Sequence, residues 1–170
     1  MSIVISRKAG TLEACSINAR SIDRLPLEWY ETTKRILHKK TAAGREVILK
    51  FMKDNPAFSQ DDVVHENDAF IIAIDILPCE AIVVKPETMY GMASLCYEIG
   101  NKHVPLFFDR DEVLSPYEAP LFRSLAAGGF EPRREWRKLL YPLKTTVAPH
   151  GQGSSLFSRI MQLTTPSTDA

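Results

Sequence analysis

Over the first 76 residues, apolar positions come in short alternating or continuous runs that suit strands, and no stretch keeps a clean helical period. Lys34-Arg35-Ile36-Leu37-His38-Lys39-Lys40-Thr41 and Arg45-Glu46-Val47-Ile48-Leu49-Lys50-Phe51 flank Ala42-Ala43-Gly44, where the glycine can supply the positive φ of a hairpin bulge. A second hairpin is predicted from Val63-Val64-His65 and Ala69-Phe70-Ile71-Ile72-Ala73-Ile74, around a turn at Glu66-Asn67-Asp68. Residues 1–76 therefore read as a small all-β domain.

After Pro78 strands and helices alternate. Ala81-Ile82-Val83-Val84 reads as a buried strand by its branched side chains. Pro86 is placed to open a helix whose apolar face carries Met89, Met92, Ala93, Cys96 and Ile99, with Gly100 as its left-handed cap. Residues 103–108 then read as a strand, with His103, Pro105 and Phe107 on one face and Val104, Leu106 and Phe108 on the other. A charged turn at Asp109-Arg110-Asp111 leads to a short strand at Glu112-Val113-Leu114. Ser115-Pro116-Tyr117-Glu118 has the form of a capping box with proline at the first helical position. That helix points Leu121, Phe122 and Leu125 at the core and stops at Gly128-Gly129, and residues 131–139 supply a last strand.

The order β-α-β-β-α-β is the ferredoxin-like arrangement, a four-stranded sheet with two helices on one face. The fold expected is thus α+β: an all-β domain over 1–76, a ferredoxin-like domain over 77–142, and a flexible tail over 143–170. In the tail Pro, Gly, Ser and Thr dominate and the apolar pattern thins.

Composition narrows the function more than the fold. Hydrophobic residues make up 45% of the 170 and charged residues 25%, an ordinary globular mixture. Lys plus Arg equals Asp plus Glu, at 21 each, so no global field steers the chain toward nucleic acid or acidic lipid. The start of the chain is apolar too briefly for a signal peptide, and no later run spans a bilayer, so a cytoplasmic protein with no membrane partner is expected. Cys15, Cys79 and Cys96 are odd in number and form no CxxC pair, which argues against a disulfide scaffold or a zinc ribbon.

The candidate chemistry rests on four histidines: His38, His65, His103 and His150. His38 sits among basic residues on a predicted strand and His65 beside a turn, and both read as solvated surface residues. His103 follows a helix terminus at the start of a strand, so backbone on both sides fixes where its imidazole points. The plain reading there is a histidine satisfied by a backbone carbonyl.

One imidazole cannot make a selective metal site, because borderline divalent ions want three or more nitrogen or oxygen donors. Twofold symmetry removes the difficulty, since a residue near the axis of an isologous homodimer meets its own copy. His150, on Ala148-Pro149-His150-Gly151, can then swing in as a further donor.

Tyr97-Glu98-Ile99-Gly100-Asn101-Lys102-His103-Val104-Pro105-Leu106 resembles the signature of the UreE urease accessory proteins, Leu- or Ile-Gly-Asn-Arg-His followed by an apolar strand. Leu27-Glu28-Trp29 with Lys34-Arg35-Ile36-Leu37, and Ala81-Ile82-Val83-Val84-Lys85-Pro86, are similar to neighbouring parts of the family, so the likeness covers residues 3–140. It implies a β domain that contacts partner proteins, then a ferredoxin-like domain that binds metal and forms the homodimer. It implies Ni(II) as cargo, His103 as its ligand and His150 as an additional one. It also implies exchange with the GTPase chaperone UreG and delivery to the urease apoprotein complex, with no catalysis by the chain itself.

Three departures shape that expectation. Lys102 stands where the family usually has Arg, keeping the charge but losing the bidentate fork. Ser115-Pro116-Tyr117-Glu118-Ala119 lacks the extra histidines that some members carry there as secondary copper sites, so none is expected, and the tail lacks a histidine run, so one tight site per dimer is expected and not bulk nickel storage. Neutral imidazoles bind the metal, so acid should release it. Zn(II), and Cu(II) more tightly, should substitute in vitro.

Three rivals stand beside this reading. Cys96 as nucleophile with His103 as base would make an enzyme, but Cys96 lies on an apolar helix stripe where an inert thiol is ordinary. A ferredoxin-like RNA reader would need an aromatic-basic strand motif, which the chain lacks. The third is a protein–protein adaptor whose histidine is structural.

Overall fold

A computed structural model describes residues 2–17, 20–52 and 56–144 of the chain. The predicted tail beyond Lys144, His150 included, lies outside the described residues.

The N-terminal unit is built from two sheets. In the first, β1 (Ile3–Ile5), β5 (Glu46–Lys50) and β4 (Ile36–Lys40) lie in the order β1-β5-β4, with β1 parallel to β5 and β4 antiparallel to it. In the second, the order is β2 (Gly10–Thr11), β6 (Asp62–Glu66), β7 (Phe70–Ile76) and β3 (Ser21–Leu27). Both predicted hairpins form. Gly44 supplies its positive φ of 81° between β4 and β5. Between β6 and β7 the Asn67 side-chain oxygen accepts the Ala69 and Phe70 N–H groups at 2.9 and 2.8 Å, the bonding that makes Asn a turn residue.

Alternation along β4, β5 and β7 puts Leu37, Val47, Leu49, Ile72 and Ile74 into a common core with Ile5, Leu25 and Leu27. Strands β1, β2 and β3 were not in the sequence expectation. β1 and β3 pair in parallel with β5 and β7, partners far along the chain, so no local turn announces them.

The C-terminal unit runs β8 (Cys79–Val84), α1 (Met89–Asn101), β9 (Phe107–Asp109), β10 (Glu112–Pro116), α2 (Ala119–Ala127) and β11 (Arg133–Arg137). The sheet is antiparallel in the order β11-β8-β10-β9, which is the predicted ferredoxin-like βαββαβ topology. Residues 81–84 of β8 are buried on both faces, which suits their continuously apolar sequence. Ile82 and Val84 pack with Leu95 and Ile99 of α1 and Leu121 and Leu125 of α2. Ala81 and Val83 face the other way, onto Phe107, Leu114, Leu139 and the half-buried Trp29 of the N-terminal unit. Trp29 meets Phe107 edge to face at 5.7 Å. Lys138 adds an ion pair to Asp75 at 2.6 Å, so the two units share apolar and charged contacts.

Four local expectations are corrected. Pro86 does not open α1; Thr88 is its N-cap, accepting the Gly91 N–H at 3.0 Å, and the helix starts at Met89. Of the predicted apolar face, Ile99 is buried and Met92 and Cys96 half-buried, but Ala93 is exposed and Met89 is 90% exposed, while Leu95 takes the central core place. Apolar residues occur all round this helix, so periodicity alone could not choose the buried side.

The Ser115–Glu118 box is not formed. Ser115 and Pro116 end β10, paired with Ile82 and Ala81, and the Ser115 hydroxyl donates to the Pro105 carbonyl at 3.2 Å. α2 starts later, after Glu118. Sheet pairing outweighs the local helix signal here. The fourth correction concerns the strand expected from His103, which begins only at Phe107. No helix among the described residues is long and apolar enough to cross a membrane.

Candidate functional site

Helix α1 ends in a turn built around His103. Gly100 remains helical rather than left-handed, Lys102 is the C-cap at φ −90° and ψ 1°, and the left-handed residue is His103 at φ 56°. The predicted glycine cap is therefore displaced by three positions onto the histidine itself. The His103 N–H donates to the Gly100 carbonyl at 2.9 Å, and the Lys102 N–H to that of Ile99 at 3.1 Å. Val104 then packs against the cluster that holds Ile99 and Leu106. Backbone bonds before the residue and apolar packing after it fix the Cα–Cβ direction, and the side chain is exposed. Histidine is one of the few non-glycine residues enriched in this conformation.

The exposed side of α1 leads to the same turn. Tyr90, Ala93 and Tyr97 fall at i, i+3 and i+7 on one stripe. Tyr90 and Tyr97 are 83% and 69% exposed, and Met89 adds to the patch at the helix start. The stripe residues carry no charge. Sequence reasoning had counted Met89 and Ala93 as core and passed over both tyrosines, whose seven-residue spacing was the available signal.

The chain also comes back to this neighbourhood after β11. Leu139 and Leu140 enter the two cores that Trp29 joins. The Phe108 N–H donates to the Tyr141 carbonyl at 2.9 Å, Pro142 bridges Phe107, and the Leu143 N–H donates to the Leu106 carbonyl at 2.8 Å. Residues 141–143 thus line the free edge of β9, and the tail departs beside Leu106, close in sequence to His103.

Among the described residues no cluster of three or more His, Cys, Asp or Glu side chains could hold a metal ion. The structure places the other histidines elsewhere: His38 is exposed on β4, and His65 on β6 is half-buried with its ring 5.6 Å from that of Phe70. Cys96 turns inward, its sulfur 4.0 Å from the Met92 sulfur, and burial pushes its thiol pKa up. A protonated, inward-facing thiol is a poor nucleophile.

Fold and site together define a class: a two-unit α+β protein whose ferredoxin-like unit presents one imidazole on a fixed backbone turn. The family model for the UreE urease accessory protein N-terminal domain matches residues 5–77. The chain is 44% identical over 163 residues to a urease accessory protein UreE of Flavobacterium johnsoniae, covering 95% of this chain and 99% of that one. It is 47% identical over 132 residues to the UreE of Haemophilus influenzae, covering 78% and 71%, and 33% identical over 155 residues to that of Helicobacter pylori, covering 88% and 91%. The chain belongs to the UreE family of urease accessory proteins.

Proposed function

We propose that this chain is a nickel chaperone for urease maturation, and the observation that carries the reading is the exposed imidazole of His103 held in a left-handed turn. Ala57, Asp61 and Arg110 also have positive φ, so what supports the reading is the exposed imidazole on a backbone-fixed turn within the family's motif, and not the conformation alone. Two chains pair through the uncharged α1 stripe of Tyr90, Ala93 and Tyr97, and the turn at its end brings His103 of each chain to the twofold axis. Two imidazoles then face one Ni(II), which is cargo rather than a resident cofactor.

His150 completes the donor set from one or both tails. An extended chain advances about 3.3 Å per residue, so the stretch from Leu143, tied beside Leu106, reaches on the order of 20 Å. That is ample to return to His103, and a donor on a tether suits a carrier that must also release its metal. Release in this reading is to the GTPase chaperone UreG and onward to the urease apoprotein, in the cytoplasm and without catalysis by this chain. Zn(II) and Cu(II) compete for the same nitrogen donors in vitro.

Titration calorimetry on the full chain, with sedimentation to count subunits, tests this. The expected result is about one tight nickel per pair of chains, lost in His103→Ala while the pair persists. Unchanged stoichiometry and affinity in that variant would remove His103 from the site and the proposal with it.

A further inference from the structure

Residues 141–143 begin a strand that the described chain does not finish. Phe107 and Pro142 form an antiparallel bridge. The Phe108 N–H donates to the Tyr141 carbonyl on one side of it, and the Leu143 N–H to the Leu106 carbonyl on the other. Bonds that flank a pair in this way mark it as one that exchanges none itself. The register of this strap along the edge of β9 is therefore fixed. Each residue forward from Pro142 meets one back from Phe107, which sets Lys144 against Pro105, Thr145 against Val104 and Thr146 against His103.

The backbone ahead of β9 is open to that continuation. Leu106 is buried and its carbonyl is taken by Leu143, yet among the described residues no hydrogen bond reaches its N–H. Val104 is half-buried, and among the described residues neither its N–H nor its carbonyl is bonded. Buried backbone groups are seldom left without a partner. The Pro105 carbonyl turns toward β10, where the Ser115 hydroxyl donates to it at 3.2 Å. Alternation then turns the groups of Val104 and Leu106 the other way, to the side where the Leu143 bond already lies. Pro105 and Pro142 both fall at pairs that exchange no hydrogen bonds, so the ladder lacks no donor at either. Thr145, Thr146 and Val147 have the branched side chains that suit a strand, and Pro149 stops one.

We propose that Lys144 and Thr145 continue the strap along Val104–Leu106, with Thr145 and Val104 exchanging both backbone hydrogen bonds and the Leu143 carbonyl accepting the Leu106 N–H. The pairing ends at His103, whose φ of 56° turns the chain out of line. The arm that carries His150 then leaves from Thr146, opposite His103, and not from Leu143. A shorter tether raises the effective concentration of His150 beside His103. That last step rests on the function proposed above, whereas the strap itself does not.

Amide hydrogen exchange followed by NMR on the metal-free full chain tests the strap, beside Thr145→Pro, Thr146→Pro and a chain ending at Lys144. In this register the Thr145 N–H donates to β9's side and the Thr146 N–H points away, so the two prolines should differ. The Val104 and Leu106 amides should be protected in the full chain and in Thr146→Pro. They should exchange about tenfold faster or more in Thr145→Pro and in the shortened chain. The Phe108 amide, held by Tyr141, should exchange alike in all four, which shows that the fold is kept. Equal exchange in the two proline variants, or in the full and shortened chains, would overturn the strap. By nickel titration, Thr145→Pro should bind more weakly than Thr146→Pro by about threefold or more. Equal affinities there would overturn the shortened tether. A full chain with the expected exchange pattern that binds no nickel sinks the function and leaves the strap standing.

Discussion

The two helices of the C-terminal unit both stop at a left-handed residue, glycine after α2 and histidine after α1. α2 ends at Gly128, with Gly129 left-handed at φ 84°. The Gly129 N–H bonds the Ala126 carbonyl at 3.2 Å and the Phe130 N–H that of Leu125 at 3.1 Å, while Phe130 packs on the core below. This is the Schellman arrangement. α1 repeats much of it one helix earlier: the His103 N–H bonds the Gly100 carbonyl, Val104 packs on the core, and the left-handed position is occupied by histidine. Glycine takes that conformation at little cost, whereas a side chain there costs roughly 1 kcal/mol or more. The α2 end therefore takes the conformation at little cost, while the α1 end takes it with a side chain that is exposed.

The comparison can be broken in four ways, in descending size of effect. His103→Ala keeps the left-handed backbone and removes the proposed donor, so nickel affinity should fall by at least about a hundredfold. A calorimetric titration that still shows the tight site would reduce His103 to an ordinary cap. Ending the chain at Lys144 removes His150, the proposed second donor, but leaves the turn intact, so affinity should drop roughly tenfold without vanishing. An identical isotherm for the shortened chain would exclude His150.

Gly129→Ala asks what the left-handed position costs where no function is at stake. A Cβ added there meets nothing within 4 Å, so the loss is conformational, about 1 kcal/mol by urea denaturation. A neutral result would mean that these turns carry no strain and that the contrast with His103 is empty. Last, His103→Gly should stabilise the metal-free chain by up to about 1 kcal/mol while binding nickel no better than His103→Ala. A destabilised His103→Gly would show that the imidazole has a structural partner, as the adaptor reading requires.

How much was legible varied with how local each signal was. Gly44 and Asn67 announced their hairpins because a positive φ and an Asx turn depend on one or two residues. The order of elements after Pro78 and the stop at Gly128-Gly129 were readable for the same reason. β1 and β3 were missed because their partners lie far along the chain. Ser115-Pro116-Tyr117-Glu118 looked like a helix start and became partly strand, since pairing with β8 supplies more bonds than a cap does. In α1, Met89, Ala93 and the two tyrosines were misassigned because an all-round apolar helix does not name its buried side.

At the site, the sequence by itself determined that a histidine follows a helix terminus within a UreE-like motif, and that a second histidine lies on a Pro- and Gly-rich tail. Those are matters of residue type and spacing. Only the tertiary structure decided that His103, not Gly100, takes the left-handed turn, because Val104 and Leu106 must reach the core that Ile99 occupies. It also decided that Tyr90 and Tyr97 face outward and that Leu143 returns to Leu106, since both depend on which surfaces the sheet and α2 had already covered.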